Sequence, residues 1–317
     1  MASSSVDGIT VVTSPDGRLA ETAVLGALRE AFGALADGRA VQPAQSLTEL
    51  PAPGNGAGYP GDVIVYQGLL PGVYGVKASP YLPPSATGMD TAIVTAWTLL
   101  VSTRTGQPVL LCDSKWLTTE RTAATSALAV DLLAGADVRT LAVIGAGPVA
   151  HAHLRYAKAV REFADVRAYS PGLASGVRPP LAGATVTATA EEAADGADVI
   201  LLCTSSATPV LDLGAVRTGA VVTAVSTNAP RAHEIEPSEL AGMEVYADYR
   251  PTVTGVAGDM VLAIDQGLWS ADQLRGDLPE LVSRSAPPPT GERVAYFRSV
   301  GLGIEDVAIA RLLLPDD

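Results

Sequence analysis

Basic residues are scarce in this chain. Lysine occurs only at Lys77, Lys115 and Lys158, and 21 Lys+Arg stand against 34 Asp+Glu, for a formal charge of −13 over 317 residues. Nucleic acid and anionic membranes both need a basic footprint, so that balance argues against either as the main partner. Cations that do converge are better suited to a small anion. Cysteine is nearly absent too. Cys112 and Cys203 are too few and too far apart for a disulfide framework. Each lies in an apolar run (VLLCD, VILLCTS) and reads as a small buried hydrophobe. The opening MASSSVDGIT has no basic region followed by an apolar core, so no signal peptide is expected. The longest uncharged apolar stretch, Thr91–Thr103, falls short of the roughly 20 residues that span a bilayer. The expectation is a soluble, cytoplasmic protein without a membrane partner. What is present, 48% hydrophobic and 17% charged residues, suffices for ordinary globular cores. The length suggests about two domains at roughly 100–200 residues each.

The first third alternates β-rich runs with Pro/Gly punctuation. Val24, Leu25, Leu28, Phe32 and Leu35 form one stripe of a helix over Ala20–Ala36. A loop-like stretch, Pro51–Pro60, precedes strands at Asp62–Tyr66 and Gly72–Ala78. Ile93–Ser102 and Pro108–Cys112, separated by a turn containing Thr105-Gly106, read as a hairpin. Together these predict a mostly antiparallel sheet with a flanking helix.

The middle reads differently. A long helix is expected over Thr118–Gly135, with Thr118 as N-cap and Gly135 as C-cap. A βαβ alternation follows. Strands are expected at Thr140–Ile144, Val166–Tyr169, Thr185–Thr187, Asp198–Cys203 and Ala220–Ala224, with helices at Pro148–Val160 and Ala190–Ala194. Alternating β and α predicts a parallel, doubly wound sheet, and strands buried on both faces read as continuous apolar runs. The C-terminal Gly303–Leu314 reads as a helix.

Gly145-Ala-Gly147-Pro148-Val149-Ala150 joins an apolar strand to a helix, and so sets G-x-G-x-x-A in the context that dinucleotide binding requires. Gly145 allows the tight turn, Gly147 lets the backbone approach a pyrophosphate, and Ala150 lets the helix pack close to the sheet. The phosphates then sit on the unpaired N–H groups of the helix N-terminus at Pro148 and Val149. A purely structural glycine turn is the alternative. The end of the next strand selects the cofactor. An acid there binds the ribose of NAD, but the chain has Tyr169-Ser170-Pro171-Gly172 and no acid until Glu191. Ser170 accommodates a 2′-phosphate, with Arg167 or Arg178 as cations the sequence does not place. NADP(H) is therefore favoured, with NAD(H) as the alternative. Thr204-Ser205 and Ser226-Thr227 end later strands with small hydroxyl residues, which suit the crevice of a dinucleotide fold and also ordinary loops.

Lys77 lies in the strand VYGVKAS, sharing a face with Val73 and Gly75, and Arg121 opens the long helix. A lysine among apolar neighbours either snorkels to water or pairs within a cleft. Taken alone, each cation reads first as an ordinary ion-pair residue.

Taken together, the motifs resemble the ornithine cyclodeaminase/μ-crystallin family. They are the lysine strand, Thr105-Gly-Gln-Pro108, Leu117-Thr-Thr-Glu-Arg-Thr-Ala-Ala124, Val143-Ile-Gly-Ala-Gly147, Thr204–Leu211, Gly258-Asp259 and Phe297-Arg-Ser-Val-Gly301, in family order over nearly the whole chain. The resemblance implies an α/β fold with two parts. One is a Rossmann NAD(P)-binding domain over 121–294. The other is an α+β, largely antiparallel substrate-binding and dimerisation domain over 1–120, completed by about 295–317. It implies a homodimer joined through the antiparallel domain, and a cleft where a carbon–nitrogen centre faces the nicotinamide. Carried over by position, Lys77 and Arg121 hold the substrate carboxylate beside the cofactor, the first as a compact charge and the second as a two-donor fork. Ser299 and Val300 match the segment that closes over cofactor and substrate.

Two departures bear on the reaction. Where cyclodeaminases carry a carboxylate-gripping arginine two residues after a proline, this chain has Gln45. Where they carry an aspartate that handles the substrate amine, it has Asn228, which cannot take up a proton near neutral pH. Both changes argue against ornithine cyclodeamination and leave hydride transfer to an imine intact. The leading expectation is an NAD(P)H-dependent reductase of a C=N bond, in a cyclic ketimine or an imino acid, with Lys77 or a bound water protonating the nitrogen and Asn228 hydrogen-bonding it. The competing readings are a cyclodeaminase-type lyase with recycled NAD and a non-catalytic, NADPH-dependent small-ligand binder.

Overall fold

The computed structural model of the protein describes residues 3–6, 8–13, 17, 19–51, 61–83, 93–226 and 231–315. The chain divides into two units, Met1–Arg121 with Leu302–Asp317, and Thr122–Gly301.

The first unit is built on one sheet: β1 (Ser3–Val6), β2 (Ile9–Val12), β3 (Ser46–Glu49), β4 (Asp62–Leu70), β5 (Val73–Leu82), β6 (Ile93–Val94), β7 (Trp97–Ser102) and β8 (Pro108–Asp113). The order is β1-β2-β8-β7-β5-β4-β3, with β6 paired to β5. Every pair is antiparallel except β2–β8, in keeping with the largely antiparallel domain expected. Gly72 at φ +86° and Gly106 at φ +71° serve the β4–β5 and β7–β8 hairpin turns. The expected strand over Ile93–Ser102 is split, because Ile93–Val94 pair with Tyr81 and Leu82 whereas Trp97 onward pairs with Val73–Ala78.

The strand expected to stop at Tyr66 runs on to Leu70. Gly68 does not break it. A Cβ on Gly68 would stand 2.6 Å from the Ile304 backbone nitrogen, one on Gly75 2.4 Å from Val307 Cγ2, and one on Gly303 2.0 Å from the Gln67 carbonyl oxygen. Gly68 and Gly303 mark a close approach of backbone to backbone, and Gly75 makes room for the Val307 side chain. They let the C-terminal helix, Gly303–Arg311, lie directly on β4 and β5, with residues 303–310 all buried. The N-terminal helix, Glu21–Ala36, buries Val24, Leu28, Ala31, Phe32 and Ala34.

The connecting helix spans Lys115–Leu133 and starts before the expected Thr118. The Asp113 carboxylate accepts the Lys115 N–H at 2.9 Å. Thr118 lies one turn inside, its hydroxyl donating to the Ser114 carbonyl at 2.9 Å, so it is not the N-cap.

The second unit carries a wholly parallel sheet: β9 (Thr140–Ile144), β10 (Asp165–Tyr169), β11 (Thr185–Val186), β12 (Val199–Leu202), β13 (Val221–Ala224), β14 (Glu244–Ala247), β15 (Gly276–Asp277) and β16 (Ala295–Arg298). The order is β11-β10-β9-β12-β13-β16-β14-β15. Chain order reverses between β9 and β12, and in open α/β sheets the crevice at the carboxyl ends of such a pair is where dinucleotides bind. β12, β13, β14 and β16 are buried at every residue. β16 inserts between β13 and β14, so residues 295–298 belong to the parallel sheet. The chain rejoins the first unit at Leu302, later than the expected 295. Among the described residues no helix is long and apolar enough to cross a membrane.

Candidate functional site

In the second unit the glycine turn sits at the reversal of strand order. Gly145 has φ +144°, and a Cβ there would stand 2.5 Å from the Cys203 carbonyl oxygen at the end of β12. Only glycine fits. Gly147 is different: its φ is −85°, and a Cβ would meet nothing within 4 Å. It is the N-cap of the helix Pro148–Val160, which has no side-chain cap, Pro148 in its first turn and no acid there. Open space in front of uncapped N–H groups at a positive dipole end fits a dinucleotide pyrophosphate. Val149 follows in the first turn, its carbonyl 2.8 Å from His153 Nδ1.

Ser170 caps the short helix Pro171–Ala174 and accepts the Leu173 N–H at 3.1 Å, which leaves its own hydroxyl proton to donate. Of the two arginines, Arg167 is committed to Asp165 and to the Asp195 carbonyl. Arg178 is exposed, and its stem lies 3.2 Å from where a Gly172 Cβ would be. Among the described residues its guanidinium makes no hydrogen bond or ion pair. The fold thus brings Arg178, and not Arg167, to the Ser170 turn.

Thr204 and Ser226 are brought together by a residue the sequence did not single out. Buried Glu234 accepts the Thr204 N–H at 2.8 Å and its hydroxyl at 2.7 Å with one oxygen, and the Val225 and Ser226 N–H groups at 3.1 and 2.7 Å with the other. Burial raises its pKa against the pull of these donors. Ser205 is exposed beside them. Ser226 holds φ +55°, and its buried hydroxyl oxygen has no hydrogen-bond partner among the described residues. Thr227 and Asn228 lie outside the described residues.

Ser299 and Val300 are held by buried Asp248, which accepts the Ser299 hydroxyl at 3.1 Å and the Val300 and Gly301 N–H groups at 2.6 and 2.8 Å. Arg298 ties that segment to β13 through the Val225 and Ser299 carbonyls at 2.6 and 2.7 Å, and to Asp259 at 3.1 Å. The Gly258-Asp259 and Phe297–Gly301 motifs therefore form one network.

In the first unit Lys77 and Arg121 meet on one carboxylate. Lys77 Nζ lies 2.8 Å from both oxygens of Asp306. Arg121 Nε lies 3.4 Å from Asp306, and its Nη1 is 3.1 Å from Glu305. All four side chains are buried. Lys77 also stands 4.2 Å over the Tyr66 ring and 3.4 Å from the Thr118 hydroxyl. Burial lowers the Lys77 pKa to about 8, with Asp306 opposing the shift. Burial likewise works against the Arg121 charge, but Asp306 and Glu305 overcome it and push that pKa up. Arg121 Nη2 makes no hydrogen bond among the described residues. Gln45 is half-buried on the loop before β3 and likewise makes none. Its neighbour Gln42 instead accepts the Ile304 N–H at 3.0 Å, at the start of the C-terminal helix. A cavity of about 630 Å³ elsewhere in this unit has, among the described residues, Glu30 and Arg311 as its charged lining and contains neither Lys77 nor Arg121. Among the described residues no cluster of His, Cys, Asp and Glu could hold a metal ion.

The ornithine cyclodeaminase/mu-crystallin family model matches residues 20–315. The chain is 52% identical over 301 residues to the NAD(P)H-dependent anabolic L-arginine dehydrogenase of Pseudomonas aeruginosa, covering 93% of this chain and 92% of that one. It is 28% identical over 224 residues to the Δ1-pyrroline-2-carboxylate reductase of Bacillus cereus, covering 68% and 69%. The solved structure of the Thermococcus litoralis Δ1-pyrroline-2-carboxylate reductase with NADH and L-proline matches with a TM-score of 0.83 at 24% identity, covering 95% of each chain, a likeness of fold.

Proposed function

The chain belongs to the ornithine cyclodeaminase/mu-crystallin family, and on that premise we propose that it is an NAD(P)H-dependent reductase of the C=N bond of an imino acid. The observation that carries this reading is the open, uncapped helix N-terminus behind Gly147, at the reversal of a parallel sheet. When bound, NAD(P)H supplies the hydride that reduces the C=N carbon. Gly147, Pro148 and Val149 receive the pyrophosphate, and Thr204, Ser205, Ser226, Thr227 and Ser299 line the rest of the cofactor. Lys77 and Arg121 hold the substrate carboxylate, Arg121 through the Nη2 left unused by Glu305. Val300 and Gln45 complete the substrate contacts. Asn228 hydrogen-bonds the substrate nitrogen and, being an amide, cannot act as its base. The 52% identity to an L-arginine dehydrogenase supports an acyclic imino acid with a basic side chain, formed from a 2-oxo acid and ammonia. The test is NADPH oxidation with the 2-oxo acid of arginine plus ammonium, beside a panel of cyclic imines. No oxidation with any of them would sink the reading.

NADPH is the preferred cofactor in this proposal. No acid stands at the end of β10 to repel a 2′-phosphate, the Ser170 hydroxyl has a proton to donate, and the Arg178 guanidinium, unpaired among the described residues, is at hand. Fluorescence titration is expected to give NADPH the lower Kd. Ser170→Asp should move the preference towards NADH, and Arg178→Ala should weaken NADPH alone. A lower Kd for NADH in the unaltered protein would contradict this.

The protein is further proposed to be a homodimer through the antiparallel sheet. Trp97, Leu99 and Leu111 lie on β7 and β8 at 40%, 39% and 37% exposure, and Leu99 and Leu111 are directly paired across the strands. An exposed apolar sheet face gains by covering against a second copy. Light scattering should give twice the mass of the chain, falling to a single copy in Leu99→Lys/Leu111→Lys. A single-copy mass for the unaltered protein would rule the dimer out.

A further inference from the structure

We propose that Asp306, on the C-terminal helix, is the positioning residue for Lys77, fixing where the ammonium stands and keeping it a cation inside the first unit. The inference rests on the reading that Lys77 holds the substrate carboxylate. A fully buried ammonium is costly unless it is paired and hydrogen-bonded, and otherwise sheds its proton. Asp306 meets that need from a position 229 residues away in sequence, with both oxygens 2.8 Å from Nζ.

The groups facing Lys77 come from three elements. The Tyr66 ring on β4 lies 4.2 Å below Nζ, and the connecting helix presents Thr118 and Arg121. Arg121 repels the Lys77 charge. The C-terminal helix presents Asp306 and, farther off, Glu305, which is engaged with Arg121. Among the described residues, Asp306 is the one group in hydrogen-bond contact with Lys77 that carries negative charge, and it also touches Arg121 at 3.4 Å. The backbone is arranged to place it. Gly68, Gly75 and Gly303 leave no room for a Cβ, so the helix comes down onto β4 and β5 where Lys77 points. Without the Asp306 charge, burial and Arg121 both drive Lys77 to the neutral amine, which gives a carboxylate no charge to pair with.

The chain's three lysines make the test direct. With ¹³Cε-labelled lysine the NMR spectrum holds three signals, and Lys115→Arg and Lys158→Arg identify the Lys77 signal by elimination. That signal should titrate near 8 in the unaltered protein. In Asp306→Asn it should titrate lower by about one unit or more, KM for the carboxylate substrate should rise with NADPH affinity unchanged, and the alkaline limb of the pH–rate profile should move the same way. Asp306→Glu keeps the charge but displaces it by a methylene. It should retain a titration near 8 while shifting the Lys77 resonance and raising KM, so it decides the matter if the asparagine variant does not fold. An unmoved Lys77 titration in folded Asp306→Asn, or an unmoved resonance in Asp306→Glu, overturns the proposal. Both readouts are independent of turnover, so a protein inactive on every imine yet showing these shifts would refute the reductase reading and leave the Lys77–Asp306 relation standing.

Discussion

Gly147→Val abolishes NAD(P)H binding and leaves the protein folded. That is the expected result, because position 147 has an ordinary φ of −85° and open space around the missing Cβ. A Cβ meets none of the described residues within 4 Å there, so a small cost to the fold is expected. The branched side chain occupies the space in front of the helix N–H groups that a pyrophosphate needs. Cofactor fluorescence should show no saturable binding, while the circular dichroism spectrum and melting temperature stay near those of the unaltered protein. Gly145→Ala gives the opposite pattern. A Cβ there would stand 2.5 Å from the Cys203 carbonyl in a backbone conformation that side chains rarely adopt, which costs on the order of 1–3 kcal/mol in backbone strain alone. It should lower the melting temperature before it says anything about the cofactor. If Gly147→Val binds NADPH as tightly as the unaltered protein, the turn is merely structural.

Lys77→Met and Arg121→Met should each weaken transition-state binding of a carboxylated substrate by about 2–5 kcal/mol, roughly thirty- to several-thousand-fold in kcat/KM. Both cations are buried, so an incoming carboxylate meets them largely desolvated. The same changes also cost stability, because Asp306 or Glu305 loses its partner in the interior. NADPH affinity separates the two effects: a variant that binds cofactor normally yet has lost turnover is folded and lacks the anion hold. Arg121→Lys keeps the charge but not the planar fork, and should fall between. Undiminished kcat/KM in a variant lacking either cation would remove that cation from the substrate site.

The glycine turn was legible because its chemistry is local: an apolar strand, two glycines and a helix start within a dozen residues. The hairpins were legible for the same reason. The buried acids that hold the candidate residues in each unit were not. Glu305 and Asp306 read as ordinary first-turn acids of a C-terminal helix, and only the packing of that helix onto Gly68 and Gly75 brings them to Arg121 and Lys77. Glu234 and Asp248 sit in sequence contexts with no periodic or motif signal, yet each gathers several N–H and hydroxyl donors at strand ends. The strand expected to stop at Tyr66 runs on to Leu70, through Gly68, where the C-terminal helix backbone comes close. Thr118 looked like a cap because it precedes a helical pattern, but the preceding Asp113-Ser114 pair already starts the helix.

The most direct test of the reductase account is the balance of cofactor against product. Supplied with NADPH, ammonium and the 2-oxo acid of arginine or a cyclic imine, the protein should consume one NADPH for each amino acid formed. Supplied with ornithine and catalytic NAD, it should release neither ammonia nor proline, because the amide of Asn228 cannot serve as the base that cyclodeamination needs. Proline and ammonia formed from ornithine at a useful rate, with no net change in cofactor, would contradict the account.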